Sequence, residues 1–145
     1  MGGNMQARVR QSHKRRILVV DDDENVRLLV KVILTRQGYE VEIASSGAAG
    51  LAAMKRSVPD LILLDMAMPD MGGLAFLEAK AKSDVAADIP VIVVSGRSRN
   101  ADVAAAISLG ASNFVAKPFH QDRLLANIAG LLPPTVDAVP SRAAG

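Results

Sequence analysis

Four short apolar runs, each ending in residues that carry chemistry, constrain this 145-residue chain more than anything else in it. Ile17-Leu18-Val19-Val20 runs into Asp21-Asp22-Asp23-Glu24, Leu61-Ile62-Leu63-Leu64 into Asp65, Val91-Ile92-Val93-Val94 into Ser95-Gly96, and Asn113-Phe114-Val115-Ala116 into Lys117-Pro118. Unbroken apolar runs bounded by turn signals read as strands buried on both faces, the usual condition in a parallel sheet. Asp65 is the most telling terminus. It stands between its run and the turn Met66-Ala67-Met68-Pro69-Asp70-Met71-Gly72-Gly73, which aims its carboxylate into a cleft.

Between the runs the period changes to that of a helix. Val26, Leu29, Val30 and Ile33 form an i, i+3, i+4, i+7 stripe, and Gly38 follows as a stop. Val41 and Ile43 alternate with Glu40 and Glu42, the pattern of a half-covered edge strand. Residues 47–55 and 73–82 read as a second and third helix. After a polar loop from Gly96 to Asn100, an alanine-rich fourth helix reaches Leu109 and stops at Gly110. Leu124, Leu125, Ile128 and Leu131 mark a fifth, closed by Pro133-Pro134. Strict alternation of strand and helix predicts an α/β fold, a parallel sheet wound with helices on both faces. Acids, a hydroxyl and an ammonium then converge on the edge where such sheets bind ligands.

The bulk composition agrees. At 50% hydrophobic, the chain is able to bury the core of one domain, and with 3% aromatic residues that core is expected to be aliphatic. No window approaches the roughly 18 consecutive apolar residues of a membrane span. The N-terminus has no apolar signal core, so a cytoplasmic location is expected. The absence of cysteine rules out disulfides and thiolate metal sites. Arg8, Arg10, Lys14, Arg15 and Arg16 precede every acid, so the folded part is mildly acidic behind a basic extension. Five charges without aromatics read as a solvated tail, and direct nucleic-acid binding is not expected.

The Asp21-Asp22 pair, Asp65 with Met68-Pro69 and Gly73, Ser95-Gly96, and Lys117-Pro118-Phe119 stand in the order and at the spacing of one family. In these residues the chain resembles the receiver domain of bacterial two-component response regulators, over residues 15 to 131. The resemblance implies a five-stranded flavodoxin-like sheet of order 2-1-3-4-5, an order that periodicity does not supply. It implies a basic disordered tail over 1–14, a receiver domain over 15–132, and a flexible tail or linker over 133–145.

Three carboxylates at neighbouring strand ends repel unless protons or a cation compensate, and oxygen-only ligands suit a hard divalent ion. By the resemblance, Asp22, Asp65 and the backbone carbonyl of Ala67 bind Mg²⁺, with Mn²⁺ as the substitute, and Asp21 acts through water. Asp65 is the implied phosphorylation site, accepting a phosphoryl group from a phosphohistidine. Ser95, Gly96 and Lys117 hold the phosphoryl oxygens, and Phe114 takes the place of an aromatic switch that controls a surface made by the fourth helix, fifth strand and fifth helix. The family holds the Lys117–Pro118 bond cis, which proline makes accessible. By the resemblance, Ala67 and Arg97 flank the path of hydrolytic water. Ala67 has no polar group to orient it and Arg97 has no acceptor to act as a base, so slow autodephosphorylation is expected. The implied partners are a sensor histidine kinase or histidine phosphotransfer protein upstream, and a downstream protein or a removed output domain. The alanine-rich fourth helix and Ser112-Asn113 depart from the acidic pattern of winged-helix transcription regulators, which weakens the expectation of their dimer.

Several residues take plainer readings. Asp23 and Glu24 serve the dipole of the first helix, Met66, Met68 and Met71 pack around the turn, and His13 and His120 are exposed. No Walker A loop or dinucleotide glycine fingerprint is present. Two rival readings remain open. In a small haloacid-dehalogenase-type phosphatase, Asp21 would be the nucleophile and Asp23 the acid-base, but Asp65 would have no task. A flavin binder would need a phosphate cradle where acids cluster.

Overall fold

The computed structural model describes residues 14–68 and 71–132. The expectations for the basic tail, for His13, for Pro69-Asp70 and for the segment after Leu132 lie outside these residues. Five strands, β1 (Arg16–Val20), β2 (Glu40–Ala44), β3 (Leu61–Leu64), β4 (Val91–Ser95) and β5 (Asn113–Ala116), alternate with five helices. These are α1 (Glu24–Arg36), α2 (Gly47–Arg56), α3 (Gly73–Ala81), α4 (Asn100–Ser108) and α5 (Gln121–Leu131). Every strand pairing is parallel, in the order β2-β1-β3-β4-β5. Boundaries differ from the sequence expectation by a residue, as at β4, which extends to Ser95.

The unbroken apolar runs follow from this order. Along β1, Leu18 and Val20 enter one core cluster while Ile17 and Val19 enter another. The same alternation divides Ile62 and Leu64 from Leu61 and Leu63, and Val91 and Val93 from Ile92 and Val94. Successive side chains of a strand point to opposite faces, so a central strand sandwiched by helices must be apolar at every position. The edge strands β2 and β5 are only partly covered and keep polar residues. The first cluster lies under α2, α3 and α4, the second under α1 and α5.

The core is not purely aliphatic. Phe76 of α3 is fully buried, and space for its ring is left by Gly50 of α2, where an added Cβ would stand 3.0 Å from the ring and 2.9 Å from Val20. Helix ends follow the chemistry read from the sequence. Asp23 caps α1 by accepting from the N–H groups of Asn25 and Val26. Gly38 (φ +91°) and Gly110 (φ +104°) end α1 and α4 in the left-handed conformation that glycine adopts without strain. Met66 and Met68 are buried, as expected of residues packing around the turn.

One buried charge had no counterpart in the sequence reading. Lys80, on the inner face of α3, is 5% exposed and donates from Nζ to the carbonyl of Ala87 at 2.9 Å, tying the α3–β4 connection to the helix. Burial pulls its pKa below that of an ordinary lysine, and the nearby Asp88 partly opposes this.

Candidate functional site

The strand order reverses between β1 and β3, and Asp21 and Asp65 follow immediately after these two strands. Ser95 closes β4 and Lys117 follows β5, so all four stand at the carboxyl edge of the sheet. Asp21, Asp22 and Asp65 each present an oxygen within 4.8 Å of the others.

Asp21 is 3% exposed and engaged at every polar group. Its N–H donates to Ala44 O at 3.1 Å, its Oδ1 accepts from Asp23 N–H at 2.9 Å, its Oδ2 accepts from Lys117 Nζ at 2.7 Å, and its carbonyl accepts from the Arg27 guanidinium at 2.8 Å. Asp22 is the opposite case: exposed, with no side-chain hydrogen bond among the described residues.

Asp65 is anchored through its N–H to Val20 O at 2.9 Å. Its Oδ1 accepts a long hydrogen bond from Ala67 N–H at 3.3 Å, and its Oδ2 is 3.8 Å from Lys117 Nζ. Burial pushes the Asp65 carboxyl above the usual range; the Ala67 N–H and the Lys117 ammonium pull it back, and the Asp21 charge adds to the rise. Ser95 also lowers it slightly. The buried Ser95 Oγ also accepts from Arg97 N–H at 3.1 Å, which leaves its O–H free to donate.

The remaining expected residues fall around this centre. Lys117 N–H donates to Ser95 O at 3.0 Å, and the Lys117–Pro118 peptide bond is cis. Ala67, Gly96 and Arg97 are exposed at the mouth, with the Arg97 guanidinium 3.7 Å from Asp102. Phe114 is half-buried opposite Val93 and packs against the first core cluster. His120 is exposed. Asp23 caps α1 through Oδ1, the helix-end role expected of it. The sequence reading missed Arg27; the only signal was a basic residue in the early part of a helix, against the dipole.

The donor set suits a hard divalent cation. All side-chain ligands are oxygens, and three carboxylates outnumber the two cations, Lys117 and Arg27, that stand beside them.

A doubly wound parallel sheet with clustered carboxylates, a hydroxyl and an ammonium at its carboxyl edge defines an α/β module built around an anionic centre of oxygen ligands. The comparisons specify it further. The response regulator receiver domain family model matches residues 17–129, and the chain belongs to that family. It is 38% identical over 112 residues to the transcriptional regulatory protein KdpE of Mycobacterium tuberculosis, covering 77% of this chain and 48% of KdpE. It is 36% identical over 118 residues to the CAI-1 autoinducer sensor kinase/phosphatase CqsS of Vibrio cholerae, covering 81% of this chain and 17% of CqsS. The chemotaxis protein CheY4 of Vibrio cholerae superposes with a TM-score of 0.79 at 28% identity, covering 82% of this chain and 99% of CheY4. The chain thus spans about half the length of KdpE and less than a fifth of CqsS. Among the described residues, no helix is long and apolar enough to cross a membrane.

Proposed function

We propose that this chain is a phosphorylation-dependent switch whose acceptor is Asp65. The observation that carries this reading is the cluster itself: a buried carboxylate at the end of β3 within 4.8 Å of two others, with an ammonium 3.8 Å away. An Asp65 oxygen attacks the phosphorus of a phosphohistidine as the P–N bond breaks, the electron pair returns to the imidazole, and an acyl phosphate forms. Asp22, Asp65 and the Ala67 carbonyl would hold Mg²⁺, with Asp21 acting through water. Bound there, the ion would supply positive charge to the phosphoryl oxygens. Lys117 brings a compact positive charge to the same oxygens, and Ser95 and the Gly96 N–H supply donors.

The response follows from the reassignment of two groups. Lys117 is paired with Asp21, and the Ser95 oxygen accepts from Arg97 N–H; a phosphoryl group on Asp65 draws the ammonium from Asp21 and accepts from the Ser95 O–H, turning the hydroxyl toward it. Movement of Ser95 frees space beside Phe114, and the α4-β5-α5 surface shifts toward its active arrangement. A histidine kinase or phosphotransfer protein upstream and a downstream protein or attached output domain complete the relay. We assign the receiver domain to residues 15–132, with a basic tail before it and a tail or linker after it, and a cytoplasmic location. The domain assists its own phosphorylation and loses the phosphoryl group slowly, because Ala67 and Arg97 offer hydrolytic water no base.

Incubation with acetyl phosphate and Mg²⁺ tests the reading. Phosphate is expected on Asp65 and absent from Asp65→Asn. Peptide mapping that finds it on Asp21 in the unaltered protein would overturn the reading in favour of phosphatase-like chemistry.

A further inference from the structure

Arg27 occupies the electrostatically poor end of its helix. Basic residues sit in the last turns of α1, α2 and α3, where a helix favours cations. Arg27 lies in the first half of α1, and side chains of a helix lean toward its N-terminus, which brings the guanidinium back over the positive end. The carboxylates of the site offset that charge, and the carbonyl of Asp21, 2.8 Å from the guanidinium, fixes its position.

That carbonyl has no other partner among the described residues. It lies beyond the end of β1, and the helix ladder begins later, with Arg27 N–H donating to Asp23 O at 3.0 Å. Without Arg27 that carbonyl would have only water as a partner, and the Asp23 N–H to Asp21 Oδ1 bond alone would hold the turn across the Asp21–Asp22 peptide. The consequence falls on Asp22, whose exposed carboxylate has no hydrogen bond among the described residues and takes its place from its backbone.

We propose that Arg27 is a positioning residue that pins the Asp21–Asp22 peptide and thereby sets the acidic cluster for the divalent cation. This rests on the phosphoacceptor reading. Two influences of Arg27 have opposite signs, which makes the proposal testable. As a charge, Arg27 repels a cation, so its removal would tighten Mg²⁺ binding. As a clamp on ligand geometry, its removal weakens binding, and outer-sphere partners of metal ligands typically contribute about 10-fold or more in affinity.

The test is an amide-shift titration of the whole chain with Mg²⁺ alone, on the wild type, Arg27→Ala and Arg27→Lys, together with thermal melts. Amide exchange at Asp23, whose N–H donates to Asp21 Oδ1, is followed in the absence of metal. The expected result is about 10-fold weaker Mg²⁺ binding in Arg27→Ala, an intermediate loss in Arg27→Lys, which keeps the charge but not the planar fork, and faster Asp23 exchange in both. Mg²⁺ binding in Arg27→Ala as tight as the wild type or tighter overturns the proposal, and so does a lowered melting temperature with affinity unchanged. If Arg27→Ala does not fold, wild-type affinity in Arg27→Lys overturns it equally. Failure of the wild type to bind Mg²⁺ and to accept phosphate from acetyl phosphate identifies the phosphoacceptor reading itself as the error.

Discussion

Replacing Gly73 with alanine should damage the site without touching a charged group. A Cβ at this position would stand 2.7 Å from both the Cα and the Sδ of Met66 and 3.0 Å from the carbonyl oxygen of Asp65. The Met66 sulfur is able to swing aside, but the Cα and the carbonyl belong to the backbone that carries Asp65. Relief to ordinary contact requires a backbone displacement of roughly 0.8–1.3 Å at the Met66 Cα, given optimal carbon separations of about 3.5–4 Å. Overpacking of this kind costs about 1–3 kcal/mol. Alanine recovers little through helix propensity, because Gly73 is the first residue of α3. The melting temperature should therefore fall by about 3–12 °C for a domain of this size. Phosphorylation should suffer more than stability, since a misplacement of about 1 Å in a reacting group is able to cost about 100-fold in rate. Differential scanning calorimetry and the initial rate of labelling by acetyl phosphate measure the two effects. Gly130→Ala is the control: among the described residues nothing lies within 4 Å of a Cβ there, and the helix should gain up to about 1 kcal/mol. Wild-type melting and labelling in Gly73→Ala would refute the argument that the close approach of α3 places Asp65.

Asp65→Asn should raise the metal-free melting temperature, because burial raises the carboxyl pKa and so penalises the charged form in the folded state. The sign over pH follows: the folded state holds the Asp65 proton more tightly, so this penalty sets in as pH rises above the unfolded value near 3.8 and is complete above the folded one. A melting temperature lowered by the substitution at neutral pH would contradict it. Lys80→Met should be neutral or stabilising by about 1 kcal/mol near pH 7, since it removes a desolvated charge and keeps the apolar stem. The folded lysine deprotonates before the unfolded one, so wild-type stability should gain on the variant as pH rises through the lowered pKa toward 10.5. Urea melts at several pH values measure that gap, and a gap independent of pH would sink the idea. Ala67→Asn should accelerate loss of phosphate from Asp65 several-fold, about 1 kcal/mol of barrier, by holding the attacking water; decay that is already fast and unchanged in the variant would mean that another group orients it.

The apolar runs, the i, i+3, i+4 stripe of α1 and the glycine stops at 38 and 110 determined the alternation of strands and helices before any tertiary contact was known, because they report periods that the backbone itself imposes. The position of chemistry at strand ends was legible for the same reason: Asp21, Asp65, Ser95 and Lys117 each follow or close an apolar run. Periodicity left the strand order open, and only the family resemblance supplied it. Tertiary structure alone decided which atoms meet. Lys117 pairs more closely with Asp21, 96 residues away, than with Asp65, at 2.7 against 3.8 Å. Of two adjacent aspartates it buries Asp21 and leaves Asp22 in solvent. It brings Arg27 onto a backbone carbonyl and Phe76 into a core that composition predicted to be aliphatic. A period specifies which face a residue occupies, but a hydrogen bond needs two groups within about 3 Å, and that spacing exists only once the crossovers have set strand order and register.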